Sequence, residues 1–287
     1  MARILLVGTA TLDMVFTLDR YPAEDAEIRA RDLRVCRGGN AANTAVVLAQ
    51  LGHDCSFVGA LGDTPETAVI DMDFARHQVD FSACPRLPGR PPTSSIYLSG
   101  PHRTIVHYRD LPELTSEQFS RLDLNGFDWV HFEGRNVPQL LAMMARVRSE
   151  CPATAISLEL EKLREGIESA LALANVLICS RGYASHCGFN DPQQFLAWMG
   201  GSVPGSIVVV AWGESGAYAN DADNVVRSPA FPPLKVLDTL GAGDTFNAGF
   251  IDGMCDAGDV ATALQKACRL AGQKCGSYGL DDFLVLR

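Results

Sequence analysis

Positive charge is in short supply in this chain: 24 Lys and Arg stand against 34 Asp and Glu, for a formal net charge of -10. A nucleic-acid binder needs a clustered basic surplus to neutralise phosphates, and no such stripe occurs. Apolar runs are short as well, none approaching the roughly 18 residues that span a bilayer. Met1 to Gly8 lacks the longer apolar stretch and small-residue cleavage site of a secretory leader, so neither export nor a membrane is expected. The six histidines form no H-x-x-x-H pair and the nine cysteines no C-x-x-C, which argues against a structural zinc site. Odd in number, scattered and mostly flanked by apolar residues, the cysteines read as reduced core thiols, and the cytoplasm is the natural compartment for them. There is no Gly-Lys-Ser or Gly-Lys-Thr, hence no Walker A loop. Repeats, low-complexity tracts and long linkers are absent too.

What is there is 47% apolar over 287 residues, enough to bury a sizeable core. Ile4 to Val7 is a short apolar run, Gly38 to Leu51 reads as a helix opened by glycines, and Cys55 to Ala60 reads as a second buried strand. The rhythm returns at Trp129 to Phe132, Val137 to Arg148, Ala153 to Leu158, Lys162 to Leu173, Val176 to Cys179 and Ile207 to Ala211. Buried strands alternating with helices predict an α/β fold with a mostly parallel sheet covered on both faces, whose ligands sit beyond the carboxyl ends of the strands. Two segments break the rhythm. Ile28 to Cys36 alternates apolar and charged residues, and Ser94 to Leu98 with Thr104 to Tyr108 forms a hairpin pattern around Gly100 and Pro101. They predict a small separate sheet, either a flap over the site or edge decoration.

Two glycine-rich junctions carry the chemistry. Asp238-Thr239-Leu240-Gly241-Ala242-Gly243-Asp244 leads into the apolar helix that starts Thr245-Phe246-Asn247. Small residues let backbone N–H groups converge on an anion, and a helix N-terminus adds about half a positive charge. Asp244 is then either a proton acceptor beside a phosphoryl group or an ordinary helix cap. Arg37-Gly38-Gly39-Asn40-Ala41-Ala42-Asn43 places two carboxamides one helical turn apart, suited to adjacent hydroxyls of a polyol, and Asp13 adds a carboxylate after the first strand. The plainer reading is a tight turn whose asparagines stabilise local backbone. Elsewhere His131 reads as a hydrogen-bonded core histidine, Trp212 as a nucleotide neighbour or a packing residue, and Asp281 with Asp282 as a solvated turn.

Both junctions resemble the two signatures of the ribokinase (PfkB) family of carbohydrate kinases, at the expected ends of the chain. Within that family the likeness is nearest to the ketohexose-phosphorylating branch, through Tyr21 to Arg29, Arg103 to Val106, Glu133-Gly134-Arg135-Asn136, Phe231-Pro232-Pro233 and Ala271 to Gly276. The resemblance implies one ribokinase-like domain over 1–287, with a β-sheet lid inserted at about 13–36 and 93–109, and ATP-dependent phosphorylation of fructose at the 1-hydroxyl. The alternatives are a kinase for another ketose, sugar or nucleoside, or a sugar-binding sensor without turnover. By the same resemblance, Asp244 is the base in the Gly241, Ala242, Gly243 anion loop, and Asp13, Gly39, Asn40, Asn43 and Arg135 serve the sugar. Arg103 and Gly213, Glu214, Ser215 and Gly216 would line the ATP side. Lids clasp in a homodimer, so that Asp25 reaches the neighbouring sugar. Mg²⁺ would accompany ATP, and K⁺ activation would need backbone carbonyls near the anion loop. One departure is visible: where many members carry Asn-x-x-Glu to organise Mg²⁺ and water, this chain has Ser180-Arg181-Gly182-Tyr183.

Overall fold

Apolar β-rich runs between helical segments generate the main sheet. The computed structural model describes residues 1–100, 102–221, 224–281 and 283–284; Pro101 of the predicted hairpin and Asp282 lie outside them. In spatial order the main sheet is β14 (Asn224–Ser228), β13 (Ala217–Asp221), β12 (Ile207–Ala211), β11 (Val176–Ser180), β10 (Ala155–Leu160), β9 (Trp129–Glu133), β1 (Arg3–Val7) and β4 (Asp54–Val58). The six from β12 to β4 are parallel, and β13 and β14 form an antiparallel edge. A second sheet has the order β3 (Asp32–Gly38), β2 (Thr11–Thr17), β7 (Thr93–Ser99), β8 (His102–Tyr108), and β5 (Leu61–Gly62) pairs with β6 (Arg86–Leu87). The helices are α1 (Asn40–Gln50), α2 (Ala68–Arg76), α3 (Ser116–Phe119), α4 (Val137–Glu150), α5 (Glu168–Leu171), α6 (Arg181–His186), α7 (Pro192–Ser202), α8 (Ala242–Ala257) and α9 (Val260–Cys275).

Strand periodicity divides the core. Ile4 and Leu6 of β1 face a cluster with Val46, Leu48, Phe250, Ile251 and Leu264 from α1, α8 and α9. Leu5 and Val7 face the opposite cluster, with Met143, Met144, Phe195 and Met199 from α4 and α7. Each fully buried side chain such as Phe57 or Phe250 contributes about 2–3 kcal/mol through burial. His131 lies in the core as expected: it is fully buried, its Nδ1 is 2.8 Å from Ser157 Oγ, and burial pushes its pKa down to about 3, so the ring is neutral.

Two elements are shorter than the sequence predicts. The helix expected over Lys162 to Leu173 shrinks to α5, because Gly166 has φ 79 and breaks the turn before it. Strand β3 begins at Asp32 rather than Ile28, since its partner β2 ends at Thr17, opposite Asp32, and leaves the earlier residues unpaired. Strand β1 sits between β4 and β9: the chain passes from β1 to β4 on one side and only later returns to β9 on the other, which opens a crevice at the carboxyl ends of the strands.

Candidate active site

The crevice is filled from four directions. Gly39 begins α1 with φ 97, and a Cβ there would lie 2.1 Å from the Thr9 carbonyl, so only glycine lets α1 abut the turn after β1. That approach presents Asn40 and Asn43 to the crevice. From the other side α8 opens at Gly241, with φ 80 and no side-chain cap. Asp244, in its first turn, is 92% buried by its 8% residual exposure. Its Oδ2 accepts from Asn43 Nδ2 at 2.5 Å. Asp244 therefore does not cap its own helix; it faces the amide of α1.

Asn43 is held in turn. Its Oδ1 accepts from Arg37 Nη1 at 2.5 Å, and Arg37 Nε pairs with Asp73 of α2. Asp13 on β2 is buried and accepts from Thr11 Oγ1 at 2.7 Å. Burial raises its pKa, with hydrogen bonds from Thr11 and Ser94 opposing. Asp13, Arg34, Arg37, Asn43, Leu240 and Gly241 line a common cleft of about 100 Å³.

Three carboxylates to which sequence reading gave no role, Glu133 being named there only within the Glu133-Gly134-Arg135-Asn136 stretch, close the far side. Glu133 ends β9 and accepts from Thr9 N at 2.9 Å. Glu159 and Glu161, at the end of β10, share the Asn40 amide at 3.1 and 3.4 Å. Glu159 is buried, and its Oε2 has no hydrogen-bond partner among the described residues. Burial, then the charges of Asp244 and Glu133, raise the Glu159 pKa. Burial likewise pushes Asp244 up to about 7; the Asn43 hydrogen bond opposes, and the charges of Glu161 and Glu133 add to the rise. A group so poised changes protonation near neutrality, as a general base should.

The remaining predicted residues have varied surroundings. Ala242 and Gly243 form the first turn of α8 beside Gly241. Arg135 is committed to Glu133 at 3.0 Å and Glu113 at 2.9 Å, which steadies the turn after β1 through Glu133. Arg103 is exposed on β8, and the strand register puts it on the same sheet face as His107 and Asp13. Asp25 is exposed, in the left-handed region with φ 57. Gly213 to Ser215 form an exposed single turn beyond β12, and Gly216 returns the chain toward Trp212. Trp212 is packed, with the Arg181 guanidinium 5.5 Å from its ring centre. Ser180 caps α6 by accepting from Tyr183 N, and Tyr183 is buried, so no acid stands at that position. Asp281 is not simply solvated, since His77 and Arg76 each contact it at 3.1 Å.

The sequence pattern of the pfkB family carbohydrate kinases matches residues 1–285. The chain belongs to that family. This PfkB kinase is 36% identical to ketohexokinase from Mus musculus, over 98% of this chain and 99% of the relative. It is 28% identical to the ATP-dependent ribose-1-phosphate kinase of Halopiger xanaduensis, over 97% and 94%. The structure of Arabidopsis thaliana ribokinase complexed with ribose and ATP superposes with a TM-score of 0.80 at 20% identity, covering 97% of this chain and 94% of that one. The PfkB kinase is thus an ATP-dependent sugar kinase with a ribokinase-like α/β fold.

Proposed function

We propose that this kinase transfers the γ-phosphoryl group of ATP to the 1-hydroxyl of D-fructose. The observation that carries the chemistry is Asp244, buried at a helix N-terminus and bonded to Asn43 of the opposite helix. The near full-length likeness to a ketohexokinase supports the sugar. Asp13, Asn40 and Asn43 hold the ketose, with Gly39 allowing close approach. Asp244 takes the proton of the primary hydroxyl as its oxygen attacks phosphorus, while N–H groups of Gly241, Ala242 and Gly243 meet the charge on the transferred group. Arg103 and the Gly213, Glu214, Ser215, Gly216 turn serve the ATP side, and Arg135 acts at a distance through Glu133.

Mg²⁺ fits the donor set, because Glu159 has a buried oxygen without a partner and Glu161 stands beside it. Those two carboxylates would hold the ion through water, and Mg²⁺ bound with ATP neutralises phosphate charge. K⁺ fits poorly: the carbonyls of Asp238 and Ser277 beside the anion loop already accept from Lys274 Nζ, and no step is drawn through it.

The four-stranded sheet is proposed to act as a lid, its segments being 13–36 and 93–109. Met14, Val35, Ser95 and Val106 stand in register across it, and Leu33, Phe16, Tyr97 and Thr104 form the next row. Leu33, Val35, Val106 and Tyr108 leave this face apolar and exposed, which suits a second lid and a homodimer that brings Asp25 to the neighbouring sugar. Val106→Asp is expected to yield monomers by size-exclusion chromatography with light scattering; a dimer of unchanged stability would place the contact elsewhere. The nine cysteines are all unpaired, in keeping with a reducing cytoplasm. No helix among the described residues is long and apolar enough to cross a membrane.

The test is a coupled assay of ADP production with fructose, tagatose, glucose, ribose and adenosine in turn, followed by phosphorus NMR of the product. Fructose should give the highest kcat/KM and a phosphate on the 1-oxygen. Preference for ribose or adenosine would reassign the substrate, and silence with all five would favour a binding role.

A further inference from the structure

We propose that Lys274 is a positioning residue for phosphoryl transfer, its ammonium group acting as a built-in cation that fixes the Asp238 to Gly241 loop beneath the transferred phosphoryl. This rests on the reading that the loop and Asp244 hold the reacting groups.

Lys274, in the last turn of α9, is fully buried, a state lysine almost never adopts without partners. Its Nζ donates to Asp238 O at 2.8 Å and to Ser277 O at 3.3 Å, and it forms an ion pair with Asp238 Oδ2 at 3.2 Å. Asp238 then relays the constraint. Its Oδ1 accepts from Leu240 N at 2.8 Å, and its Oδ2 also accepts from Gly279 N at 3.2 Å and from Arg34 Nη2 at 3.0 Å. Burial works against the Asp238 carboxylate, yet Lys274 and these donors hold its pKa below the usual range.

Two features separate this arrangement from a generic buried ion pair. First, α8 has no side-chain cap, and Gly241 occupies the left-handed region there. The loop that aims the first-turn N–H groups is therefore set from beneath, by Asp238 and its cation. Second, two cations share one carboxylate: Asp238 faces both Lys274 and Arg34, and Asp13 is a further charge acting on Arg34. Lys274 is out of water and little screened, and the Asp238 carboxylate opposes the downward pull of burial on its pKa. Arg34 lies on β3, so the same carboxylate also ties the small sheet to the loop.

The test is Lys274→Ala in the full chain, assayed with saturating sugar and ATP, without and with n-propylammonium chloride, which replaces the deleted atoms. The kcat should fall about 100-fold, as for a small misplacement of reacting groups, with both KM values little changed. Propylammonium should restore kcat saturably, and tetramethylammonium chloride at equal ionic strength should not. A kcat near native, a loss confined to KM, equal recovery in both salts, or no recovery in a folded variant would overturn the proposal. If Lys274→Ala does not fold, Lys274→Met, which fills the space and leaves no room for propylammonium, is assayed for kcat and KM alone, and a near-native kcat or a loss confined to KM overturns the proposal. Should both be unfolded, or Lys274→Ala regain fold and activity together on adding propylammonium, Lys274 is a stability element and the proposal fails. Asp244→Asn run in parallel keeps the two readings apart: an active Asp244→Asn overturns the loop reading itself, whereas an inactive one beside a native-like Lys274→Ala overturns only this inference.

Discussion

Asp244→Asn is expected to lower kcat by about 10²- to 10⁴-fold, the span that loss of a general base covers, while leaving ATP affinity close to native. The substitution keeps the shape of the side chain and an oxygen for the Asn43 amide, so it removes the proton acceptor with little else. A direct binding measurement with ATP together with steady-state kinetics reads both halves; near-native kcat would leave Asp244 a structural residue. The pH dependence follows from its raised pKa. Below about 7 the carboxyl of the free enzyme is protonated and cannot accept the hydroxyl proton. Therefore kcat/KM should climb as pH rises toward that value and level off above it, and the residual activity of Asp244→Asn should lack this limb. Burial and the charges of Glu161 and Glu133 raise the Asp244 pKa against the Asn43 hydrogen bond, although a helix dipole alone would favour the ionised form.

Gly38→Ala should raise the sugar KM by about 10- to 100-fold, in line with the 1.5–3 kcal/mol that a hydrogen bond to a charged group is worth. The backbone of Gly38 is not in the left-handed region, so alanine costs nothing in conformation. The obstacle is space: its Cβ would lie 2.0 Å from Asp13 Oδ2 and 2.3 Å from Asp13 Cγ. Because Gly38 and Thr11 are register partners on adjacent strands, the new methyl displaces the Asp13 carboxylate rather than the strand. The ATP KM should hardly move. Gly201→Ala, whose Cβ would meet nothing within 4 Å, serves as the control. A sugar KM within twofold of native in Gly38→Ala would remove Asp13 from the sugar site.

Much of this is legible in the sequence. The alternation of apolar runs and helices gives the parallel sheet, and the glycine junctions mark both walls of the crevice, because short-range spacing encodes turns and helix starts. Asn43 and Asp244 were separately visible, but their hydrogen bond spans 201 positions and no local pattern announces it. Glu133, Glu159 and Glu161 escaped for a related reason. Glu133 ends β9, whereas Glu159 and Glu161 stand at the end of the neighbouring β10, so only sheet order brings them beside Glu133. A signal existed: Glu159 interrupts the apolar run of β10, where an ionisable residue is costly and therefore informative. Lys274 gave no hint, since a lysine near a helix end ordinarily complements the dipole in solvent. Asp73, the partner of Arg37, sits on a helix face that reads as solvated until the small sheet covers it.

The crevice is assembled from both extremes of the polypeptide, with Asp13 and Asn43 on one wall and Asp244 and Lys274 on the other. Domains begin to organise from the N-terminus as they are synthesised. A nascent chain that has made every strand among the described residues still lacks Asp244, the proton acceptor proposed above, until the penultimate helix leaves the ribosome.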